Sequence, residues 1–154
     1  MAITRTYSVG QNNRARRLDN HTLPWVDISP FGDGWEIFDV MSDPNDPDKV
    51  TIVGEAQGGL SGGILTSTNA GVTWTIPNGN WDLPKVWYEV WYVDSNTIWA
   101  VGQQGYVAKS IDGGLTFNLT TLIQPVQSLT NAIHAISDQV AVVVESRAEL
   151  TNNT

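Results

Sequence analysis

Two stretches decide the fold: Ser67-Thr-Asn-Ala-Gly-Val-Thr-Trp74 and Ser110-Ile-Asp-Gly-Gly-Leu-Thr-Phe117. Both follow the eight-residue pattern S-x-[DN]-x-G-x-T-[WF], and the two copies begin 43 residues apart. A pattern that recurs at a fixed period of this length is typical of repeat proteins, in which each repeat is one small unit of secondary structure. The sequence therefore predicts a chain built of repeated units.

Each copy of the pattern predicts a tight turn between two strands. The side chains of Asn69 and Asp112 can accept hydrogen bonds from backbone N–H groups two residues further along, and Gly71 and Gly114 can adopt a positive φ. Threonine and aromatic residues then suit the start of a strand. The predicted structural set is Ser67, Asn69, Gly71, Thr73 and Trp74 in the first copy, and Ser110, Asp112, Gly114, Thr116 and Phe117 in the second.

Around the turns, short runs of β-branched and aromatic residues recur in the same order, bounded by Gly, Pro, Asn and Asp. Residues 35–40 match 88–93 and 131–136, residues 50–54 match 97–102 and 140–144, and residues 63–66 match 105–109. In this alignment Glu36 is equivalent to Glu89. With the strand that follows each turn, a complete unit is predicted to contain four strands.

The eight-residue pattern resembles the Asp-box (BNR) repeat of sialidases and several other β-propellers. The resemblance implies an all-β fold, a β-propeller of four-stranded blades, in which the turn residues are structural. About three blades fit in this chain, so we expect a single incomplete propeller over residues 1–154. It divides into a partial blade at 1–30, blades at 31–80 and 81–125, and a truncated blade at 126–154.

Both ends of the sequence are expected to lie within blades. Residues 18–25 occupy the place of an earlier turn and keep only its Asn and Trp, so the strand before them is predicted to be the second of its blade. Residues 151–154 fit the first four positions of a further turn. Because an open stack of blades exposes apolar faces, we expect the rest of a longer chain, further copies or another protein to cover them.

Composition narrows the classes of function. The chain has no cysteine, which excludes disulfides and thiolate–metal sites, and no stretch approaches the ~20 apolar residues of a membrane span. The formal net charge is −8, and this acidity argues against a nucleic-acid partner. The basic run 14–17 is expected to be a solvated strand face or a docking arm. We expect no secretory signal, and the localisation stays open.

Candidate catalytic and metal sites are few. The two histidines, His21 and His134, have no serine or aspartate at a spacing that suggests a triad, and they do not make a zinc site. The acidic loop 43–48 could offer oxygen ligands to calcium. It lacks the Gly and Glu positions of an EF-hand, however, so a solvated turn is favoured. We therefore predict no metal and no cofactor.

Two groups of residues could bind a ligand. Glu36 and Glu89, at the start of the innermost strands, could face a common channel as the paired carboxylates of a glycoside hydrolase, or they could be ordinary solvated residues. The loops that propellers commonly use for binding carry Glu55, Gln57, Trp81, Asp82 and Trp87. Exposed tryptophan beside acidic residues suits a sugar or a protein partner. The alternative is that both tryptophans pack between blades.

The resemblance to sialidases concerns the fold more than the active site. Sialidases hold the substrate carboxylate with three arginines, whereas four of the five arginines here cluster at positions 5–17, the fifth is Arg147, and no Arg-Ile-Pro precedes the first turn. Asp-box xyloglucanases resemble residues 35–81 at least as well, and photosystem-assembly propellers with this repeat are not enzymes.

The predicted function is a non-catalytic structural or binding module of a larger assembly, and the composition favours a phage virion or tail component. Its partners would be proteins or further copies of the chain, with a glycan as the other option. The alternative function is part of a carbohydrate-active enzyme or glycan-binding propeller, sialidase- or xyloglucanase-like, whose catalytic residues lie outside this chain.

Overall fold

The computed structural model describes residues 4–10, 12, 14–30, 35–56, 62–77, 86–121 and 128–147. Their regular structure consists of twelve β-strands. The strands are β1 Arg5–Gly10, β2 Arg14–Asp19, β3 Thr22–Asp27, β4 Trp35–Ser42, β5 Val50–Ala56, β6 Gly62–Ser67, β7 Trp87–Tyr92, β8 Ile98–Gly102, β9 Tyr106–Ser110, β10 Asn118–Thr121, β11 Ser128–Ala135 and β12 Ala141–Arg147. In this part of the chain no helix has the length and hydropathy that a membrane crossing requires.

The strands form four antiparallel sheets, each made of strands that are consecutive in sequence. Sheet 1 contains β1-β2-β3, sheet 2 contains β4-β5-β6, sheet 3 contains β7-β8-β9-β10 and sheet 4 contains β11-β12. Every run that the sequence predicts as a first, second or third strand is a strand in the structure. Short β-branched and aromatic runs between turn residues favour this pattern of hairpins.

Sheets 2 and 3 differ in their fourth strand. In sheet 3, β10 pairs with β9, and Asn118 lies opposite Lys109. In sheet 2 the equivalent pairing, within the described residues up to Pro77, is one bridge between Thr66 and Thr75. Two residues after Thr75 the chain reaches Pro77, which has no N–H to donate to a neighbouring strand. Pro77 therefore cannot donate a ladder hydrogen bond to β6 at its own position.

The sheets pack face to face through three clusters of apolar side chains. Because side chains alternate along a strand, Ile52 faces sheet 1 while its neighbour Val53 faces sheet 3. Trp87 is fully buried between sheets 2 and 3. Sheets 3 and 4 meet through a smaller cluster that includes Val101 and Ile133. The result is a stack of four sheets, as the repeat pattern predicts.

Sheet 1 corrects one prediction. Residues 18–25 do not form a longer turn of the eight-residue type, because β2 and β3 are joined by the two residues Asn20 and His21. Both have positive φ, 51° and 56°, as a type I′ hairpin turn requires. Asp19 and Thr22 close this turn as opposite residues. The asparagine that suggested a degenerate repeat serves a tight hairpin instead.

The arginines near the start of the chain also differ from the prediction of one solvated face or arm. The Arg5 side chain is largely buried, with Nη1 2.6 Å from Asp19 Oδ1 and Nε 2.5 Å from Asp48 Oδ1. Arg17 Nη1 donates to the carbonyl of Ala70 at 2.6 Å. Arg14 and Arg16 point to the opposite side and are exposed. Strand alternation divides the basic residues between two faces.

Candidate functional site

Each eight-residue turn is closed by its serine. Ser67 Oγ accepts hydrogen bonds from the N–H groups of Asn69 (3.2 Å) and Gly71 (2.9 Å) and donates to Asn69 Oδ1. Ser110 makes the same three contacts with Asp112 and Gly114. The two turns thus share a hydrogen-bond pattern as well as a sequence.

The acid or amide of the turn reaches further than the predicted two residues. Asn69 Oδ1 accepts from the N–H of Thr73, four residues on, at 2.9 Å, and Asp112 Oδ1 accepts from Thr116 N–H at the same distance. Burial by itself would raise the pKa of Asp112, but hydrogen bonds from the Thr116 side chain and backbone lower it overall. The serine therefore binds the near N–H groups, and the third residue of the pattern binds the far one.

The turns also join successive sheets. Gly71 has a φ of 82°, and a side chain there would meet Ile28 of the preceding sheet at 2.6 Å. The indole Nε1 of Trp74 donates to the Ile28 carbonyl at 2.9 Å. Gly114, with a φ of 89°, lies equally close to Thr66 of sheet 2. The turn glycines are thus required twice, for backbone conformation and for close packing.

The inner strands β4, β7 and β11 each contain a β-bulge at the same place. The bulged residues are Phe38, Tyr88 and Asn131. A bulge bends its strand and redirects the side chains beside it. The residue after the bulge lies opposite Val53 in β5 and Val101 in β8, so the structure aligns Asp39, and not Glu36, with Glu89. The predicted equivalence of Glu36 and Glu89 is wrong by three positions.

Asp39 and Glu89 make the same contact. Asp39 Oδ2 accepts the N–H of Val90 in the next inner strand at 3.0 Å. Glu89 Oε2 accepts the N–H of Ile133, again in the next inner strand. We call this contact the carboxylate bridge. In each carboxylate bridge a carboxylate accepts a backbone N–H at the free edge of an inner strand. The bond stabilises this partly buried N–H, which has no neighbouring strand to pair with.

The carboxylate bridges lie in surroundings that disfavour charge. Burial raises the pKa of Asp39 and outweighs the hydrogen bond from Val90, which lowers it. Burial also raises the pKa of Glu89, and the nearby charge of Asp39 adds to this effect. Sequence alignment on Gly54 and Gly102 would not have identified Asp39, because the segment between β4 and β5 is two residues longer than the segment between β7 and β8.

Glu36 and Glu55 meet on the other side of the bulge. They are directly opposite each other on β4 and β5, and burial together with the charge of Glu36 raises the pKa of Glu55. Burial, and the charge of Glu55, raise the pKa of Tyr88. The Phe38 and Tyr88 rings lie 5.8 Å apart. Acidic and aromatic side chains of β4, β5 and β7 thus share one surface.

The remaining candidate ligand residues do not gather at one site. Trp87 is 0% exposed, so its predicted role in ligand binding is wrong and the alternative of packing between sheets holds. Gln57, Trp81 and Asp82 lie outside the described residues.

The histidines also remain apart. His134 is exposed, with its ring centroid 4.3 Å from that of Trp91. His21 belongs to the β2–β3 turn.

The acidic loop 43–48 is a structural connection and not a free solvated turn. Asp43 is buried, and its Oδ1 accepts from Ser95 Oγ in sheet 3 at 3.0 Å. Asp48 binds Arg5 of sheet 1, and Lys49 Nζ donates to the Ser95 carbonyl. Among the residues that the structure describes, no group of three or more acidic or histidine side chains could hold a metal ion.

A cleft of about 580 Å³ lies between the end of β3 and the first eight-residue turn. Arg17 and Trp74 line it together with apolar side chains and with the polar residues Asp27, Ser29 and Thr73. Both Arg17 and Trp74 donate hydrogen bonds between sheets 1 and 2: Arg17 Nη1 to the Ala70 carbonyl and Trp74 Nε1 to the Ile28 carbonyl. The cleft therefore marks the outer seam between sheets 1 and 2.

Sheet 4 leaves one apolar face uncovered in the described structure. Val142 and Val144 are 55% and 59% exposed. By strand register they take the places of Trp99 and Val101 in sheet 3, whose side chains pack against sheet 4. The exposed valines thus occupy positions that elsewhere bury against a following sheet.

Comparisons with known proteins bear on the fold. No family model and no curated protein matches this chain. Among solved structures it is similar to YCF48 from Cyanidioschyzon merolae, with a TM-score of 0.63 and 15% identity over 94% of this chain and 48% of that one. It is also similar to YCF48 bound to D1 peptide, with a TM-score of 0.64 and 17% identity over 93% of this chain and 44% of that one. A third similar structure is an ancestral GH74 enzyme, with a TM-score of 0.63 and 16% identity over 83% of this chain and 18% of that one.

These structures are β-propellers, and identities below 20% show likeness of fold alone. Together with the four stacked antiparallel sheets they confirm the predicted class: an all-β, incomplete propeller. The chain spans about half the length of the two YCF48 proteins it matches.

Proposed function

We propose that this chain is a non-catalytic binding or structural module of a larger assembly, and that its partners are proteins. The observation that carries the proposal is the uncovered face of sheet 4. Val142 and Val144 expose apolar surface where the equivalent side chains of sheet 3 are packed against another sheet. Apolar surface of this kind commonly marks an interface.

The carboxylate bridges support the non-catalytic interpretation. A general acid or nucleophile must reach substrate, whereas Glu89 and Asp39 accept backbone N–H groups of the neighbouring strand. Their proximity follows from the stacking of inner strands. Similarity to a YCF48 that binds a D1 peptide is compatible with protein binding by a propeller of this shape.

The finer assignments are part of the same proposal. We assign the eight-residue turns to the Asp-box (BNR) repeat, on the shared serine and glycine contacts at both copies. We retain the blade limits 1–30, 31–80, 81–125 and 126–154, and a phage virion or tail as the favoured assembly. That assembly is suggested by composition: a turn-rich, cysteine-free chain.

A carbohydrate-active or glycan-binding propeller is the second candidate. The surface formed by Glu36, Glu55, Phe38 and Tyr88 combines acids with aromatic rings, a combination that suits sugars. Similarity to an ancestral GH74 enzyme, over 18% of that chain, is compatible with it. Binding of xyloglucan oligosaccharides that is lost in Glu36→Gln and Tyr88→Ala would favour this candidate.

The experiment that tests the proposal changes the free face of sheet 4. We expect the wild-type chain to self-associate, as measured by light scattering across a concentration series, because the face is apolar. Val142→Lys with Val144→Lys should make it monodisperse, since two charges on a sheet face oppose its burial.

Leu115→Lys is the matched control, because Leu115 is 65% exposed on a turn away from this face. The proposal would be contradicted if the wild-type chain stays monomeric and the double variant has the same mass in solution.

A further inference from the structure

The cleft between sheets 1 and 2, which we call the seam cleft, has the size of a small-molecule site. As the described residues define it, its volume of about 580 Å³ lies within the range of roughly 300–1,000 Å³ that is typical of ligand pockets. Residues 26–30, at the end of β3, and residues 71–74, in the first eight-residue turn, line it. The cleft therefore lies between two consecutive sheets and not on the free face of an end sheet.

The seam cleft exposes an aromatic ring that is covered at the next seam. The last residue of each eight-residue turn is aromatic, and between sheets 2 and 3 it is Phe117, which is 3% exposed. Between sheets 1 and 2 it is Trp74, which is half-buried and lines the cleft. Its indole N–H is bound to the Ile28 carbonyl. The ring is thus held in place and presented to the cleft.

Two side chains of opposite charge line the cleft beside this ring. Arg17 is held by its hydrogen bond to the Ala70 carbonyl, and its side chain is 13% exposed. The Asp27 side chain is 55% exposed, and its Oδ1 accepts the Ser29 N–H at 2.9 Å. Its Oδ2 lies 3.5 Å from Nη1 of Arg14, which is similarly exposed. Because that ion pair is long and open to water, it is weak, and the Asp27 carboxylate can also accept hydrogen bonds from a ligand.

These features favour a neutral ligand with both apolar and hydroxylated surfaces. The charges of Arg17 and Asp27 offset each other, so neither a cation nor an anion gains a large net attraction. Ile28 and Leu65 are buried and add apolar surface to the lining, and the exposed Thr73 adds a hydroxyl. A sugar ring has an apolar face that suits an indole, and its hydroxyls both donate and accept hydrogen bonds.

We infer that the seam cleft binds a neutral carbohydrate. One sugar ring packs against Trp74, donates hydrogen bonds to the Asp27 carboxylate and exchanges hydrogen bonds with the Thr73 hydroxyl. The inference goes beyond the proposed function, because it adds a small ligand to a module whose partners are proteins. The site also shares no lining residue with the surface of Glu36 and Tyr88.

An NMR titration tests the inference with three neutral trisaccharides, maltotriose, cellotriose and triacetylchitotriose, and with the anionic sialyllactose for comparison. At least one neutral sugar should shift the Trp74 indole N–H signal in a saturable manner, together with the amides of residues 26–30 and 71–74. Asp27→Asn should weaken this binding about tenfold, the factor that corresponds to loss of a hydrogen bond to a charged group. Asp46→Asn is the matched control, because Asp46 is an exposed acid outside the cleft.

The inference would be overturned if no neutral sugar gives a saturable shift at tens of millimolar, or if sialyllactose binds more tightly than the neutral sugars. Equal affinities of Asp27→Asn and the wild type would overturn it too. Shifts confined to the surface of Glu36 and Tyr88 would replace it with the second candidate function. The light-scattering test of sheet 4 concerns a different face, so the inference and the proposed function can fail separately.

Discussion

Single residues in the eight-residue turns have roles that their chemistry explains. The serine hydroxyl binds two backbone N–H groups, which would otherwise lie unpaired in a buried part of the turn. The glycine combines a positive φ with contact to the preceding sheet. The aromatic position differs between copies, since Phe117 is buried and Trp74 is half-buried with its indole N–H bound. Each turn thus depends on side chains of one sheet and the surface of another.

Gly114→Ala should lower the free energy of unfolding by more than about 1 kcal/mol, because alanine disfavours a positive φ and its Cβ would meet Thr66 Oγ1 at 2.6 Å. Urea denaturation measures the change. Gly10→Ala is the control, since nothing lies within 4 Å of a Cβ built there. Equal denaturation midpoints for the two variants would show that the close packing at Gly114 is relieved at no cost.

Among the elements, the inner strands make the polar contacts that connect one sheet to the next. A bulge in β4 and in β7 places a carboxylate where it reaches the next strand. The corresponding residue of β11 is Ala132, which cannot form a carboxylate bridge. The face of sheet 4 therefore lacks the polar contact that fixes the register of the earlier sheets. A partner on that face must rely on apolar packing.

Glu89→Gln should change how stability depends on pH. Because the folded state raises the pKa of Glu89 above its ordinary value of 4.5, the stabilising contribution of this group is present below that pH and is lost as pH rises through the folded value. Glutamine can still accept the Ile133 N–H but does not ionise. The variant should therefore gain stability relative to the wild type between about pH 4 and pH 7.

Asp112→Asn is the control of opposite sign for this measurement. The folded state lowers the pKa of Asp112, so its contribution is present above the ordinary value of 3.8 and is lost as pH falls. Urea unfolding of the two variants and the wild type at several pH values gives both slopes. Parallel curves for wild type and Glu89→Gln would contradict the raised pKa.

The whole molecule is a stack in which the middle sheets are covered on both faces. The cluster between sheets 2 and 3 includes Trp87, Val53 and Ile98, each at most 1% exposed. At the ends, every residue of β3 is exposed, and sheet 4 is covered on one face. Stability in such stacks comes from each unit and its nearest neighbours. Local stability should therefore fall from the centre towards both ends.

Hydrogen exchange at low protein concentration measures this gradient. Amides in β5 and β8 should be protected with nearly the full free energy of unfolding, while those in β3 and β12 should exchange through local opening. The Val142→Lys and Val144→Lys variant serves as the control, because it should leave the gradient unchanged at a concentration where the chain is monomeric. Uniform protection would mean that the four sheets unfold as one unit.

The sequence by itself determined the local elements of this protein but not the contacts between its sheets. The fold class, the strands of sheets 2 and 3 and the two turns follow from local patterns, because turn chemistry and strand propensity act over a few residues. The tertiary structure decided which acids are equivalent, that Trp87 is buried and that Asp43 and Arg5 connect sheets. Bulges shift register by a residue without a clear mark in sequence, and burial depends on which sheet lies opposite. Contacts between sheets therefore cannot be obtained from one repeat considered alone.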